Sequence, residues 1–96
     1  LGGKQAPAAG TKVRADLTAT GLDKFTFAEK VYDRDALMPV LVELGKLYEL
    51  DHLVLLESGG ASIQLNHLVE LSKLSDALNL PAFYQYGTEL RAISTR

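Results

Sequence analysis

The residues with the most chemical potential in this chain are two histidines and a set of scattered carboxylates. His52 and His67 are the only histidines, and there is no cysteine. A zinc site or a general base would need further ligands or a held nucleophile at a compatible spacing, which neither histidine has. The acidic residues fall on predicted caps, turns and solvent-facing positions, and no serine lies in a nucleophile elbow. The sequence therefore predicts no enzyme, no metal site and no cofactor.

A glycine pair offers the one loop that resembles an anion site. Gly59-Gly60 follows a predicted buried strand and precedes Ser62. Glycines before a helix can present backbone N–H groups to a phosphate. The segment lacks the lysine and the spacing of a Walker loop, and it contains no G-x-G-x-x-G. A loop that turns the chain is therefore the favoured interpretation, and Gly59, Gly60 and Ser62 form an alternative anion or nucleotide site.

A predicted hairpin near the end of the chain carries the candidate partner-binding residues. Alternation places Tyr84 and Tyr86 on one face and Phe83 on the other. If Phe83 faces the core, the tyrosines face outward beside an edge strand that contains Arg91, and exposed aromatic residues at an open edge suit a protein partner or strand addition. That the tyrosines cover a helix is an equally weighted alternative. The few nearby arginines and the net charge of −2 do not favour nucleic acid.

These residues need one small domain to position them. The 96 residues are 47% hydrophobic and 23% charged, which suits a single globular core. Residues 1–10 are small and predict a flexible linker or a cloning remnant, whereas residues 11–96 predict one α+β domain of a longer protein. No run approaches 18 apolar residues, so we expect no helix that inserts into a membrane.

Hydrophobic periodicity predicts the elements of that domain. Strict alternation from Lys12 to Thr20 indicates a half-buried strand, and a second strand follows over 25–32. One helical face then carries Leu37, Val40, Leu41, Leu44, Leu47 and Tyr48, with Asp33 or Asp35 as the cap. A buried strand over 52–56 and the terminal hairpin complete the clear elements.

Residues 61–79 allow two interpretations. The favoured one is a short strand over 61–66 followed by a helix from about Glu70 to Asn79, because Leu65 and Leu74 would face opposite sides of one continuous helix. The alternative is a single helix from about Ser62. The predicted fold is α+β, with two helices packed on small mixed or antiparallel sheets in the order strand, strand, helix, strand, optional strand, helix, strand, strand.

Several segments between Phe25 and Ile93 resemble the N-terminal periplasmic domain of secretins and the related signalling domain of TonB-dependent receptors. The resemblance is carried by Phe25-Thr26-Phe27, Asp33 through Leu37 and Leu41, Leu53 to Leu56, Gly60, Ile63-Gln64-Leu65, Ala77-Leu78 and Tyr86-Gly87-Thr88-Glu89-Leu90. Such domains are non-catalytic contact modules of secretion, pilus or conjugation machinery at the outer membrane. The resemblance implies a periplasmic module with a protein partner, or a homo-oligomer formed through the edge strand.

A second set of segments resembles the catalytic domain of serine recombinases. It comprises Phe27-Ala28-Glu29-Lys30-Val31, Asp35-Ala36-Leu37, the strand at 53–57 and a helix at 63–78. The nucleophilic serine motif has no counterpart, and Glu57-Ser58-Gly59-Gly60 stands where arginines are expected. This resemblance implies a dead enzyme or an adaptor. The alternative function is therefore a degenerate recombinase-like or Rossmann-like cytoplasmic α/β domain with an anion or nucleotide site at the Gly59-Gly60 loop. The two resemblances differ at 61–66, where the first expects a strand and the second a helix.

Overall fold

The computed structural model describes residues 12–57 and 62–93, in which two helices pack on one face of a mixed sheet. The elements are β1 (Lys12–Thr20), β2 (Lys24–Phe27), β3 (Lys30–Tyr32), α1 (Arg34–Leu47), β4 (Glu49–Leu56), α2 (Leu65–Leu78), β5 (Ala82–Tyr86) and β6 (Glu89–Ala92). The predicted α+β class is confirmed, and the predicted order of elements closely matches this one. The predicted linker, residues 1–10, lies outside the described residues.

The six strands form one sheet in the order β3-β2-β1-β4-β5-β6. The three central strands, β1, β4 and β5, are parallel to one another. The pairs β1–β2, β2–β3 and β5–β6 are antiparallel. Within the described ranges the two edges of the sheet are therefore β3 and β6. Each parallel connection needs a crossover, and α1 and α2 supply the two crossovers.

The core lies between the sheet and the two helices. Alternate residues of β1 point into it, as the period-two pattern predicts, and they meet leucines from both helices. The buried cluster consists of Ala15, Leu17, Ala19, Phe25, Leu37, Leu41, Leu53, Leu55, Leu71, Leu74 and Ala82. Because α1 and α2 contribute to one cluster, they lie on the same side of the sheet.

The predicted second strand is divided in two by a tight turn. β2 and β3 pair in antiparallel fashion with Phe27 opposite Lys30, which leaves Ala28 and Glu29 as the turn residues. Both have positive φ, at 52° and 69°. Two-residue hairpin turns with positive φ at both positions favour Asn-Gly or Gly-Gly. Neither residue type is present here, so the sequence contained no turn signal.

The favoured expectation for residues 61–66 is wrong over the residues that the structure describes. Residues 62–64 form no strand, and α2 begins at Leu65 rather than near Glu70. The prediction treated Leu65 as a core residue, but its side chain is 73% exposed. Once Leu65 is allowed to face solvent, the later leucines fit one helical face and the conflict disappears. The single-helix alternative is closer to the structure.

Candidate protein-binding surface

The terminal hairpin sets the geometry of the candidate surface. β5 and β6 pair with Tyr84 opposite Arg91 and Tyr86 opposite Glu89. Tyr84 also lies beside Leu55 of β4, whose side chain is in the core. Side chains at paired positions share a face of a sheet. The predicted partner-binding residues, Tyr84, Tyr86 and Arg91, therefore share the face of the sheet on which the helices lie.

The orientation of β5 places Phe83 on the side of the sheet that faces away from the core. Ala82 is buried in the core and Tyr84 packs against it, whereas Phe83 lies on the opposite face of the sheet. There its ring meets His52 edge to face, with centroids 5.5 Å apart. Of the two equally weighted interpretations, the one with Phe83 in the core is wrong, and the alternative that the tyrosines cover a helix describes Tyr84. Tyr86, at the end of β5, is 59% exposed.

Arg91 connects the exposed residues of the hairpin. Its guanidinium carbon lies 4.0 Å from the centroid of the Tyr86 ring, which is a cation–π contact. Its Nε is 3.6 Å from a carboxylate oxygen of Glu89. Arg91 thus covers one face of Tyr86, so the ring is held at the surface.

An apolar groove runs between α2 and this hairpin. It has a volume of about 290 Å³ and is lined by Leu65, Leu68, Val69, Ser72, Tyr84, Ala92 and Ile93. We call it the hairpin groove. Leu65 is 73% exposed and Val69 is 43% exposed. Large apolar side chains around a concave surface are typical of a site that a ligand or partner covers.

The groove lies next to an open strand edge. The N–H of Ile93 donates to the carbonyl of Ala82 at 2.9 Å. Because paired residues in an antiparallel ladder alternate between hydrogen-bonded and non-hydrogen-bonded pairs, the backbone N–H and C=O groups of Leu90 and Ala92 point away from β5. No other described strand pairs with β6. Backbone groups are therefore available for pairing beside an apolar groove.

The alternative anion site is described only in part. Ser62 is exposed and lies shortly before α2, whereas Gly59 and Gly60 lie outside the described residues. The N-cap of α2 is Gln64, whose backbone N–H donates to Nδ1 of His67 at 2.9 Å. One of the N–H groups at this helix start is thus already bonded within the chain.

The two histidines have structural contacts. His67 is fully buried; its Nδ1 accepts from Gln64, so the neutral ring carries its proton on Nε2, which donates to the carbonyl of Thr20 at 3.1 Å. Its ring also meets Phe25 edge-on. The Nδ1 of His52 is 2.8 Å from a carboxylate oxygen of Asp51. Over residues 12–57 and 62–93, no group of three or more His, Cys, Asp and Glu side chains could hold a metal ion.

Sequence reasoning missed the helix wall of the hairpin groove. Leu65 and Val69 are one turn apart on α2, but nothing in the sequence connects them to the hairpin. The favoured interpretation began this helix near Glu70, so it placed neither residue on α2.

Two further observations bear on what the chain does. Neither of the described helices is long and apolar enough to cross a membrane. No protein-family model, curated protein or solved structure matches the chain.

Proposed function

We propose that this chain is a non-catalytic protein-interaction module whose partner binds the hairpin groove and the edge of β6. The observation that carries the proposal is the position of an exposed apolar groove directly beside the edge of β6, with which no strand other than β5 pairs in the described residues. Tyr84 lines the groove, and Tyr86 and Arg91 lie further along the same hairpin as an exposed aromatic and cationic pair.

Strand addition is the mode of binding that uses both features. A partner strand that pairs with Leu90 and Ala92 gains main-chain hydrogen bonds, while alternate side chains on the helix side reach the apolar groove. Main-chain pairing supplies affinity and the groove supplies specificity. A second copy of this chain is one candidate partner, which would give a homo-oligomer through β6.

Outside residues 61–66, the resemblance to secretin and TonB-receptor periplasmic domains supports an assembly role; the strand that this resemblance expects there is absent from the described residues 62–66. Under this proposal the module works in the periplasm as a contact domain of a secretion, pilus or conjugation system. The apolar groove and the small net charge of −2 fit a protein partner better than nucleic acid.

The proposal is tested with peptides selected on the immobilised chain from a displayed library of extended sequences. We expect the selected peptides to alternate apolar and polar residues. Leu65→Ser removes an exposed groove side chain, and Leu90→Pro removes a backbone N–H that points away from β5. Each should weaken binding by about tenfold, measured by fluorescence anisotropy.

Leu22→Ser is the matched control, because Leu22 is 70% exposed in the turn between β1 and β2. It should leave the affinity unchanged. Equal affinities for the groove variants and the control would refute the proposal. Sedimentation of the free chain checks the homo-oligomer, which Leu90→Pro should dissociate.

One observation favours the second candidate function, an anion or nucleotide site at Gly59, Gly60 and Ser62 in a cytoplasmic α/β domain. α2 begins at Leu65, and a helix at this place is what the recombinase-like resemblance expects. Inorganic phosphate added to the ¹⁵N-labelled chain should then shift the amide resonances of these three residues. If these amides do not respond, this function is excluded.

A further inference from the structure

A second apolar groove lies at the other end of α2. It has a volume of about 310 Å³, and its walls come from the last turns of both helices and the start of β4. The lining residues are Leu41, Val42, Gly45, Glu49, Leu50, Leu78 and Leu80. We call it the end groove. The two grooves share none of their described lining residues, so the end groove requires a separate explanation.

Gly45 is unexpected in the wall of this groove. A glycine inside a helix destabilises it by about 1 kcal/mol relative to alanine. The usual structural reasons do not apply here, because Gly45 does not have a positive φ and, beyond its own helix backbone and chain neighbours, no described atom lies within 4 Å of a Cβ built on it. No described part of the chain therefore requires a glycine at this position, and the space above it is open.

Among the described residues that line the groove, only Glu49 is charged. It is exposed, and among the described residues it has no ion pair. Lys12 is its neighbour in the register between β1 and β4. Over its described lining, the groove thus combines an apolar floor with one carboxylate that takes part in no ion pair. A complementary occupant has an aliphatic part and a positive charge.

We infer that the end groove binds a segment of a partner protein that places an aliphatic side chain over Gly45 and a lysine or arginine beside Glu49. The missing Cβ of Gly45 lets the bound segment approach the helix backbone closely. This inference does not rest on the function proposed for the hairpin groove. With both sites occupied, the module would connect two partners.

The test uses the ¹⁵N-labelled full chain titrated with the peptide acetyl-Leu-Leu-Lys-amide, and with acetyl-Leu-Leu-Glu-amide as the charge control. We expect the lysine peptide to shift the amide resonances of Leu41, Gly45, Leu50 and Leu80, and the glutamate peptide to shift none of them. Gly45→Ala should weaken the lysine peptide by about tenfold. The same variant should raise the midpoint of thermal unfolding by about 4 °C.

Because Gly45→Ala should weaken peptide binding but raise thermal stability, its effect on binding cannot result from a loss of folding. Glu49→Gln should also weaken the lysine peptide, whereas Ser72→Ala, in the hairpin groove, should not. Unchanged binding by Gly45→Ala would overturn the inference. If hexylammonium bound as tightly as the lysine peptide, the end groove would be a site for a small amphiphile, and the inference would also be overturned. Concentration-dependent shifts of these amides without peptide would overturn it too, since they would indicate a second copy of the chain.

Discussion

The two helices have the same length, 14 residues, but they begin by different means. At the start of α1 the exposed carboxylate of Asp33 accepts the N–H of Ala36 at 2.8 Å, so the cap is complete within four residues. At the start of α2 the N–H of Gln64 is bonded to His67, a buried ring that also holds the end of β1 through Thr20. Both helix starts therefore use a side chain three residues away, but only the one at the start of α2 is itself fixed by a contact across the fold.

Removal of the buried imidazole should have the largest effect. His67→Ala leaves a cavity and unpairs the N–H of Gln64 and the carbonyl of Thr20, so we expect a loss of about 3 kcal/mol in the free energy of unfolding. Urea denaturation measures the loss. Hydrogen exchange should show the first turn of α2 losing protection before the rest of the helix.

His52→Ala is the matched control for this comparison. His52 is partly exposed, and its polar contact is to the exposed neighbour Asp51. Its replacement should cost about 1 kcal/mol or less, because no buried group is left without a partner. If the two histidine variants lost equal stability, α2 would not depend on His67 in the way that we describe.

Removal of the local cap should have a smaller effect. Asp33→Ala should lower the free energy of unfolding by about 1 kcal/mol, because the N–H of Ala36 loses its acceptor. Asp33→Asn keeps an acceptor oxygen and should recover most of the loss. Asp35→Ala removes a carboxylate that lies beyond the cap, so its cost should be smaller. Thermal unfolding of the three variants is the measurement, and equal costs at both positions would contradict the local cap.

A charged contact joins the two helices and should have a smaller effect again. A guanidinium nitrogen of Arg34, at the start of α1, lies 2.9 Å from Glu70 of α2. Both side chains are less than a third exposed, although Asp35 and Lys73 also pair with them. A double-mutant cycle with Arg34→Met and Glu70→Gln should give a coupling of about 0.5 to 1 kcal/mol. A zero coupling would show that the helices are held together by their leucines alone.

The difference between the helices also explains how much of the fold the sequence predicts. β1, α1 and the terminal hairpin each carry their signal within a few residues: strict alternation, an acidic cap before a leucine face, and a glycine turn. The turn at Ala28-Glu29 could not be predicted, because residues that normally avoid positive φ adopt it there. Its conformation is imposed by the pairing of β2 with β3.

Only part of the candidate surface could be predicted from the sequence. Alternation shows that Tyr84 and Phe83 face opposite sides, but it does not show which side is the core. That choice depends on β5 pairing with β4, which places Phe83 beside Val54 and Tyr84 beside Leu55. The hairpin and its open edge could therefore be predicted from the sequence, whereas the groove between the hairpin and α2 could be identified only from the three-dimensional structure.

The smallest effect is expected at the exposed end of α1. Nζ of Lys46 lies 2.8 Å from a carboxylate oxygen of Glu43, and this hydrogen bond and the charge of Glu43 raise the pKa of Lys46 above its ordinary value. A raised pKa in the folded state stabilises the protein below the unfolded pKa, and the contribution is lost as the pH rises through the folded value.

Because both side chains are mostly exposed, solvent screens this contribution. Glu43→Gln should return the pKa of Lys46 toward its ordinary value in an NMR titration, yet leave the urea midpoint at neutral pH nearly unchanged. Asp33→Ala, on the same helix, should lower that midpoint clearly. A larger loss from Glu43→Gln than from Asp33→Ala would mean that charge at the end of α1, rather than its local cap, determines the stability of this helix.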